Sequence, residues 1–212
     1  MTPSAPGPRR GLVAIVPIRG LELAKSRLGE VLDAEERRDL VERLLRRVVR
    51  AARMAPGVGD VIVVTPDRAA GDAARRDGAR VVVQSGGGLN EGLEAARGAA
   101  IDAGATAILV LPADLPDVSP SAVEAIIRAA GPPPVVAIVS DLAGEGTNAL
   151  LLAPPDVVRF RFGPGSRRAH ASAAIEAGAR LVELEGPLAR DLDTADDLLR
   201  EEALARTDEP AP

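Results

Sequence analysis

Short, almost wholly apolar runs alternate with amphipathic stretches through most of this chain, and that alternation restricts the fold more than any other feature. Leu12–Ile18 (LVAIVPI) reads as a buried strand, as do 60–65 (DVIVVT, closed by Pro66), 80–83 (RVVV), 106–111 (TAILVL), 135–139 (VVAIV), 148–152 (NALLL) and 180–184 (RLVEL). Within 34–54, Leu40, Val41, Leu44, Leu45, Val48 and Val49 recur at helical spacing with Arg and Glu between them, the pattern of a helix with one buried stripe. A short helix after Pro66 and helices at about 90–103, 120–130, 166–178 and 195–205 complete the series. Strands this uniformly apolar are covered on both faces. The expected fold is therefore α/β, a three-layer α/β/α, Rossmann-like architecture with a mostly parallel central sheet. No internal repeat and no linker divides the chain. One domain is expected over 11–206, with 1–10 as a disordered leader and 207–212 as a frayed tail.

Ligands in such folds bind beyond the carboxyl ends of the strands, and composition limits what chemistry can sit there. The 212 residues include no Cys, Trp or Tyr, two Phe (Phe160 and Phe162) and one His, His170. Disulfides, zinc ribbons, iron–sulfur clusters and thiol nucleophiles are excluded, and one His cannot supply a multi-His metal site. Two Phe do not make a base-stacking platform, and a net charge of −5 argues against nucleic acid as a partner. No apolar run approaches the ~18 residues of a membrane span, and the first residues lack the apolar core of a signal peptide; a cytoplasmic protein is expected. Of the 26 basic residues only Lys25 is a lysine. Against such a background of arginine, a lone Lys points to a role that needs a compact point charge instead of a planar fork.

Several strand ends carry polar clusters. The first strand runs into Pro17-Ile18-Arg19-Gly20 and then Leu23-Ala24-Lys25-Ser26-Arg27. A strand-to-helix loop with three cations can hold phosphates through backbone N–H groups and cationic heads; the alternative is a solvated basic loop, and GxxxxGK[ST] is absent. In Ser85-Gly86-Gly87-Gly88-Leu89-Asn90 the glycines let backbone amides face a ligand, and Asn90 can read a base or ribose; the alternative is a turn with Asn90 as helix cap. Asp114, in PADLP after strand 106–111, is placed to bind Mg²⁺ against substrate phosphates, or is a turn residue. Asp191 and Asp193, if extended, share one face ~6.5 Å apart; Asp193 or Thr194 also reads as a helix cap. Finally, Gly163-Pro164-Gly165-Ser166 followed by Arg167 and Arg168 reads as an anion nest at a helix start, or as a Gly-Pro turn with a Ser cap. His170, with no partner identifiable, reads as a structural or surface residue. The two Phe read as packing that fixes the loop at 163–166; in a strand they would share one face.

Together these clusters describe a metal-dependent enzyme handling two phosphorylated substrates. The ordered series VPIRGLELAKSRL, GGGLNEGL, LVLPADLP, GTNALLL, RFGPGS and ARDLDTADDL resembles the CofC/FbiD family, the guanylyltransferases that build coenzyme F420. The resemblance runs from about Leu12 to Leu199. It implies a nucleotidyltransferase fold of the glycosyltransferase-A type, and GMP transfer from GTP to a phosphorylated three-carbon acid with release of pyrophosphate. By motif, Asp114, Asp191 and Asp193 would hold Mg²⁺ (or Mn²⁺), with Lys25 beside them in catalysis. Thr147, Gly163 and Ser166 would bind the acceptor, and Lys25, Gly88 and Asn90 would face the nucleotide. Arg19 stands where the family usually has Lys, so a cation is retained. Arg19, Lys25 and Arg27 are candidates for the leaving pyrophosphate, and Arg167 and Arg168 for the acceptor.

The acceptor implied is phosphoenolpyruvate or 2-phospho-L-lactate. The GC-rich coding bias of the chain favours phosphoenolpyruvate, which many bacterial members use. A phosphate monoester has a second pKa of about 6, so the nucleophile is already ionised at neutral pH and no general base is required. The alternatives are a nucleotidyltransferase for a sugar phosphate or the molybdenum cofactor, whose relatives usually open with a GxGxRM-type loop that this chain lacks, and a non-catalytic nucleotide-binding domain. The oligomeric state, a homodimer included, is open.

Overall fold

The computed structural model describes residues 11–21, 28–29, 31–192, 194 and 196–199. Strands and helices follow in the order β1 (Leu12–Pro17), α1 (Ala34–Met54), β2 (Val58–Thr65), α2 (Arg68–Arg76), β3 (Arg80–Val83), α3 (Leu89–Asp102), β4 (Ala107–Val110), α4 (Pro120–Ala130), β5 (Val135–Ser140), β6 (Thr147–Ala153), α5 (Ser166–Glu176) and β7 (Arg180–Leu184). The expected elements are all present, with ends within about two residues of those read from the sequence. Of the helix expected over 195–205, residues 196–199 are described and helical. The expected leader and tail lie outside the described residues.

The sheet has seven strands in the order β3-β2-β1-β4-β6-β5-β7. All neighbours are parallel except β6, which is antiparallel to both β4 and β5. The Asp141–Gly146 connection is too short for a crossover helix, so β6 must return antiparallel beside β5. Successive strand residues alternate between two cores. Leu12, Ala14 and Val16 join Val61 and Val63 beneath α1, α2 and α4; Val13 and Ile15 join Ile62 and Val64 beneath α3 and α5. This period-2 partition makes the architecture three-layered, and it explains why the strands read as unbroken apolar runs.

The helices begin where the sequence supplies caps. Asp33 accepts from Glu36 N (2.9 Å) while Glu36 returns to Asp33 N (2.8 Å) at α1, a reciprocal arrangement that satisfies otherwise orphaned amides. From β1 the chain moves to β2 and β3 on one side, then crosses back to β4 on the other. The carboxyl ends of β1 and β4 therefore flank the switch point where such sheets open a crevice.

Candidate active site

A cleft of about 580 Å³ opens at that switch point, lined among others by Arg19 after β1, Gly86–Gly88 before α3, Asp114 after β4, and Phe162. Its basic wall is anchored by one carboxylate. Asp67 caps α2 through Oδ1 (Ala69 N, 2.8 Å) and accepts from Leu21 N through Oδ2 (2.8 Å). Gly20, at φ +154°, passes so close that a Cβ there would lie 3.1 Å from Asp67 Oδ2. Arg19 is exposed on this wall. Lys25 and Arg27, the other two cations expected here, lie outside the described residues.

The glycine-rich wall is braced from within. The Gln84 amide donates to Gly86 O (2.8 Å) and Gly88 O (2.9 Å), and Gly88 N donates to Glu91 Oε2 (2.7 Å). Gly88 is the cap of α3, and Asn90 sits inside the first turn. The Asn90 side chain is engaged at both ends: Oδ1 accepts from Phe162 N (2.9 Å) and Nδ2 donates to Phe162 O (3.0 Å). The sequence suggested a reader of base or ribose. In the structure Asn90 bridges the glycine-rich loop to the 159–166 loop, so the two walls of the cleft are pinned together by one side chain.

The acidic segments meet through backbone and ion-pair contacts. Leu192 N donates to Asp114 O (3.0 Å), Arg190 holds Asp117 in a bidentate pair (2.7 Å at each oxygen), and Asn148 Nδ2 donates to Ala189 O (2.9 Å). Leu192 is fully buried against Leu28, Leu40 and Leu44, with Asp191 half-buried beside it. Thr194 N and Oγ1 both donate to Asp197 Oδ2 (2.9 and 2.7 Å), and Asp197 N donates back to Thr194 Oγ1. Thr194 therefore takes the capping role, and Asp193 is not needed for it. Asp193 itself lies outside the described residues. Among the described residues no group of three His, Cys, Asp or Glu could hold a metal ion. Asp114 and Asp191 nonetheless lie on segments joined by a backbone hydrogen bond, and they offer the hard oxygen donors that Mg²⁺ takes.

Phe162 brings the 157–165 loop to the cleft, and that loop packs against β6 and α5 through His170. Thr147, the first residue of β6, is buried, and its Oγ1 lies 3.2 Å from His170 Nδ1. Arg161 N donates to His170 Nε2 (2.9 Å). The Phe162 ring meets the imidazole edge-on, with centroids 4.9 Å apart. Burial, aided by the positive charge of Arg161, pushes the His170 pKa down to about 4. Phe160 and Phe162 lie in an irregular loop instead of a strand, yet both pack on the core beneath α3 and α5. Gly165, at φ +70° and ψ +20°, is the cap of α5; Ser166 is its first helical residue, buried, and turned back by Ser166 N donating to Gly163 O (3.1 Å). A left-handed backbone at the cap suits only glycine well. Arg167 points to Glu183 Oε1 (2.7 Å) and Gly144 O (3.2 Å), while Arg168 is exposed.

Gln84, Asp67, Arg190 and His170 hold this site together, and little in the local sequence marks them. Their partners are distant in the chain or are backbone atoms. His170 alone stood out, because it is the chain's only imidazole.

Solved structures with this architecture include nucleotidyltransferases. One from Methanothermobacter thermautotroptrophicus superposes with a TM-score of 0.67 at 23% identity, over 93% of this chain and 99% of its own. A 4-diphosphocytidyl-2C-methyl-D-erythritol synthase gives 0.64 at 17% identity, over 92% and 99%. The fold is thus that of the nucleotidyltransferase class. Residues 12–204 match the family described as "Guanylyl transferase CofC like", and the chain belongs to that family. It is 49% identical over 191 residues to the phosphoenolpyruvate guanylyltransferase of Rubrobacter xylanophilus, covering 90% of this chain and 93% of that one. Identity to the enzyme of the same name from Sphaerobacter thermophilus is 42% over 187 residues, covering 88% and 90%.

Proposed function

We propose that the protein transfers GMP from GTP to phosphoenolpyruvate, releasing pyrophosphate, in a reaction that depends on a divalent metal ion. The observation that carries this reading is the cleft at the β1/β4 switch point. There Arg19, the braced glycine-rich loop and Asp114 line one space, with the Asp191 segment tied to the Asp114 segment by a backbone hydrogen bond, in a chain 49% identical to a phosphoenolpyruvate guanylyltransferase.

In this reading a phosphate oxygen of the acceptor attacks the α-phosphorus of GTP. The bond from that phosphorus to the bridging oxygen breaks, and pyrophosphate leaves with the electron pair. The barrier is electrostatic, because an anion attacks an anion. Arg19 faces the leaving pyrophosphate, with Lys25 and Arg27 as further candidates. The glycine-rich loop, held by Gln84 and Glu91, presents its backbone to the nucleotide. Thr147, Gly163 and Ser166 take the acceptor at the start of α5, where the helix terminus favours an anion. Asp114, Asp191 and Asp193 would hold Mg²⁺ or Mn²⁺, which when bound supplies charge neutralisation at the transferred phosphoryl group.

Purified protein incubated with GTP and Mg²⁺, with each candidate acid in turn, tests the proposal by mass spectrometry of the products. Pyrophosphate release and a guanylylated phosphoenolpyruvate that vanish with chelator are expected. Product with 2-phospho-L-lactate alone would overturn the acceptor assignment; no product with either acid would overturn the function.

A further inference from the structure

We infer that His170 is a positioning residue: as its Nδ1–H tautomer it donates to Thr147 Oγ1, leaving the threonine's own proton to be given to an anionic oxygen of the acceptor. This rests on the acceptor pocket proposed above. The tautomer follows from counting donors and acceptors. A backbone N–H can only donate, so the Nε2 that Arg161 N approaches at 2.9 Å must offer a lone pair. A neutral ring then carries its proton on Nδ1, which lies 3.2 Å from Thr147 Oγ1. Oγ1 is thereby an acceptor, and its hydroxyl proton meets no other acceptor among the described residues.

The surroundings fix this state and aim it. The ring is wholly buried between Thr147 of β6, the Arg161 backbone and the Phe162 ring of the loop, and Ser166 one turn earlier on its own helix. A second proton would set Nε2–H against Arg161 N–H, two donors opposed in a dry space. Burial and the nearby Arg161 charge make that protonation difficult, with the pKa at about 4. Ser166 is buried beside the same imidazole, and its hydroxyl also has no partner among the described residues. Two hydroxyl donors therefore flank one ring at the positive end of α5. That suits a carboxylate or phosphate oxygen, whose charge strengthens each bond. The same imidazole, through Arg161 N, holds the loop that carries Gly163. One side chain thus sets both the donor and the loop of the pocket.

Because the chain has a single His, untagged ¹⁵N-labelled protein yields one imidazole spin system. Two-bond ¹H–¹⁵N correlations should show a protonated Nδ1 and an unprotonated Nε2 from pH 8 down to pH 5. An Nε2–H tautomer, or an exchanging mixture, would overturn the inference without any activity measurement. The kinetic arm compares His170→Asn, which keeps an N–H near the Nδ1 position, with His170→Leu, which does not. Leu should raise the acceptor KM by about tenfold or more, the loss of one hydrogen bond to a charged group. The GTP KM should stay within about twofold, and Asn should recover part of the acceptor KM. Equal rises in both KM values, or no recovery by a folded His170→Asn, would reduce His170 to packing. Should wild-type protein make no product from phosphoenolpyruvate, the acceptor role of Thr147 falls, while the tautomer still stands or falls on the spectrum.

Discussion

Acidification from pH 7.5 to 5.0 should weaken the fold through one imidazole. His170 is fully buried, and burial together with the Arg161 charge lowers its pKa from 6.5 to about 4. Since the folded value lies below the unfolded one, the unfolded chain takes up the proton first. The stability held by the neutral ring is complete above about pH 6.5 and drains away as the pH falls toward 4. Integrating proton uptake between pH 7.5 and 5.0 with these two values gives a loss of about 2 kcal/mol, or roughly 4–8 °C in Tm for a domain near 200 residues. Denaturant unfolding of wild type and His170→Asn at both pH values isolates the contribution, because shifts from the carboxylates are common to both proteins. No Cys and no second His titrate in this window. Wild type should lose about 2 kcal/mol more than the variant between the two conditions. Parallel losses would mean that the ring is hydrated or charged in the folded state, and the account of its environment would be wrong.

Other substitutions separate the parts of the site. Asp193→Ala should keep the circular dichroism spectrum and lose turnover by about 100-fold or more; near-normal product formation with Mg²⁺ present would remove Asp193 from the site. Ser166→Ala should raise the acceptor KM more than the GTP KM in steady-state kinetics, and the reverse ranking would mean the two pockets are exchanged. Asn90→Ala breaks both bonds to Phe162 and leaves its backbone groups partly unpaired, so thermal unfolding should report a loss of about 1–3 kcal/mol, and both KM values should rise together. Arg190→Ala removes the bidentate hold on Asp117; the Mg²⁺ concentration for half-maximal activity should increase several-fold with little change in the GTP KM at saturating metal.

The layered fold was legible because strand runs such as 135–139 and 149–152 are apolar at every position, which only a sheet covered on both faces requires. The insertion of β6 between β4 and β5 was not, since hydropathy carries no record of which strand a run lies beside. At the site, the strand-end positions of Arg19, Gly88 and Asp114 could be read directly, because chain order alone places them at the crevice. Pairings across it could not. Nothing local to Asn90 shows that Phe162, distant in sequence, meets both ends of its amide. Thr194 and Asp193 look equally able to cap the last helix until Asp197 is seen to reciprocate with Thr194. Burial of a lone His, likewise, is decided by what β6 and the 157–165 loop bring to it.

That buried His bears on which acceptors the cleft can use. Its Nε2 lone pair is occupied by Arg161 N–H, and a pKa of about 4 makes it a poor proton acceptor at neutral pH. The chain has no other imidazole and no thiol. An alcohol acceptor would have to lose a proton on the way to the transition state, and His170 cannot take it. A phosphate monoester, with its second pKa of about 6, arrives at neutral pH largely as the dianion and needs none removed. The pairing that fixes Thr147 thus also withdraws the imidazole from proton transfer. In the proposed reaction it leaves a nucleophile that is already charged as the acceptor that His170 need not deprotonate.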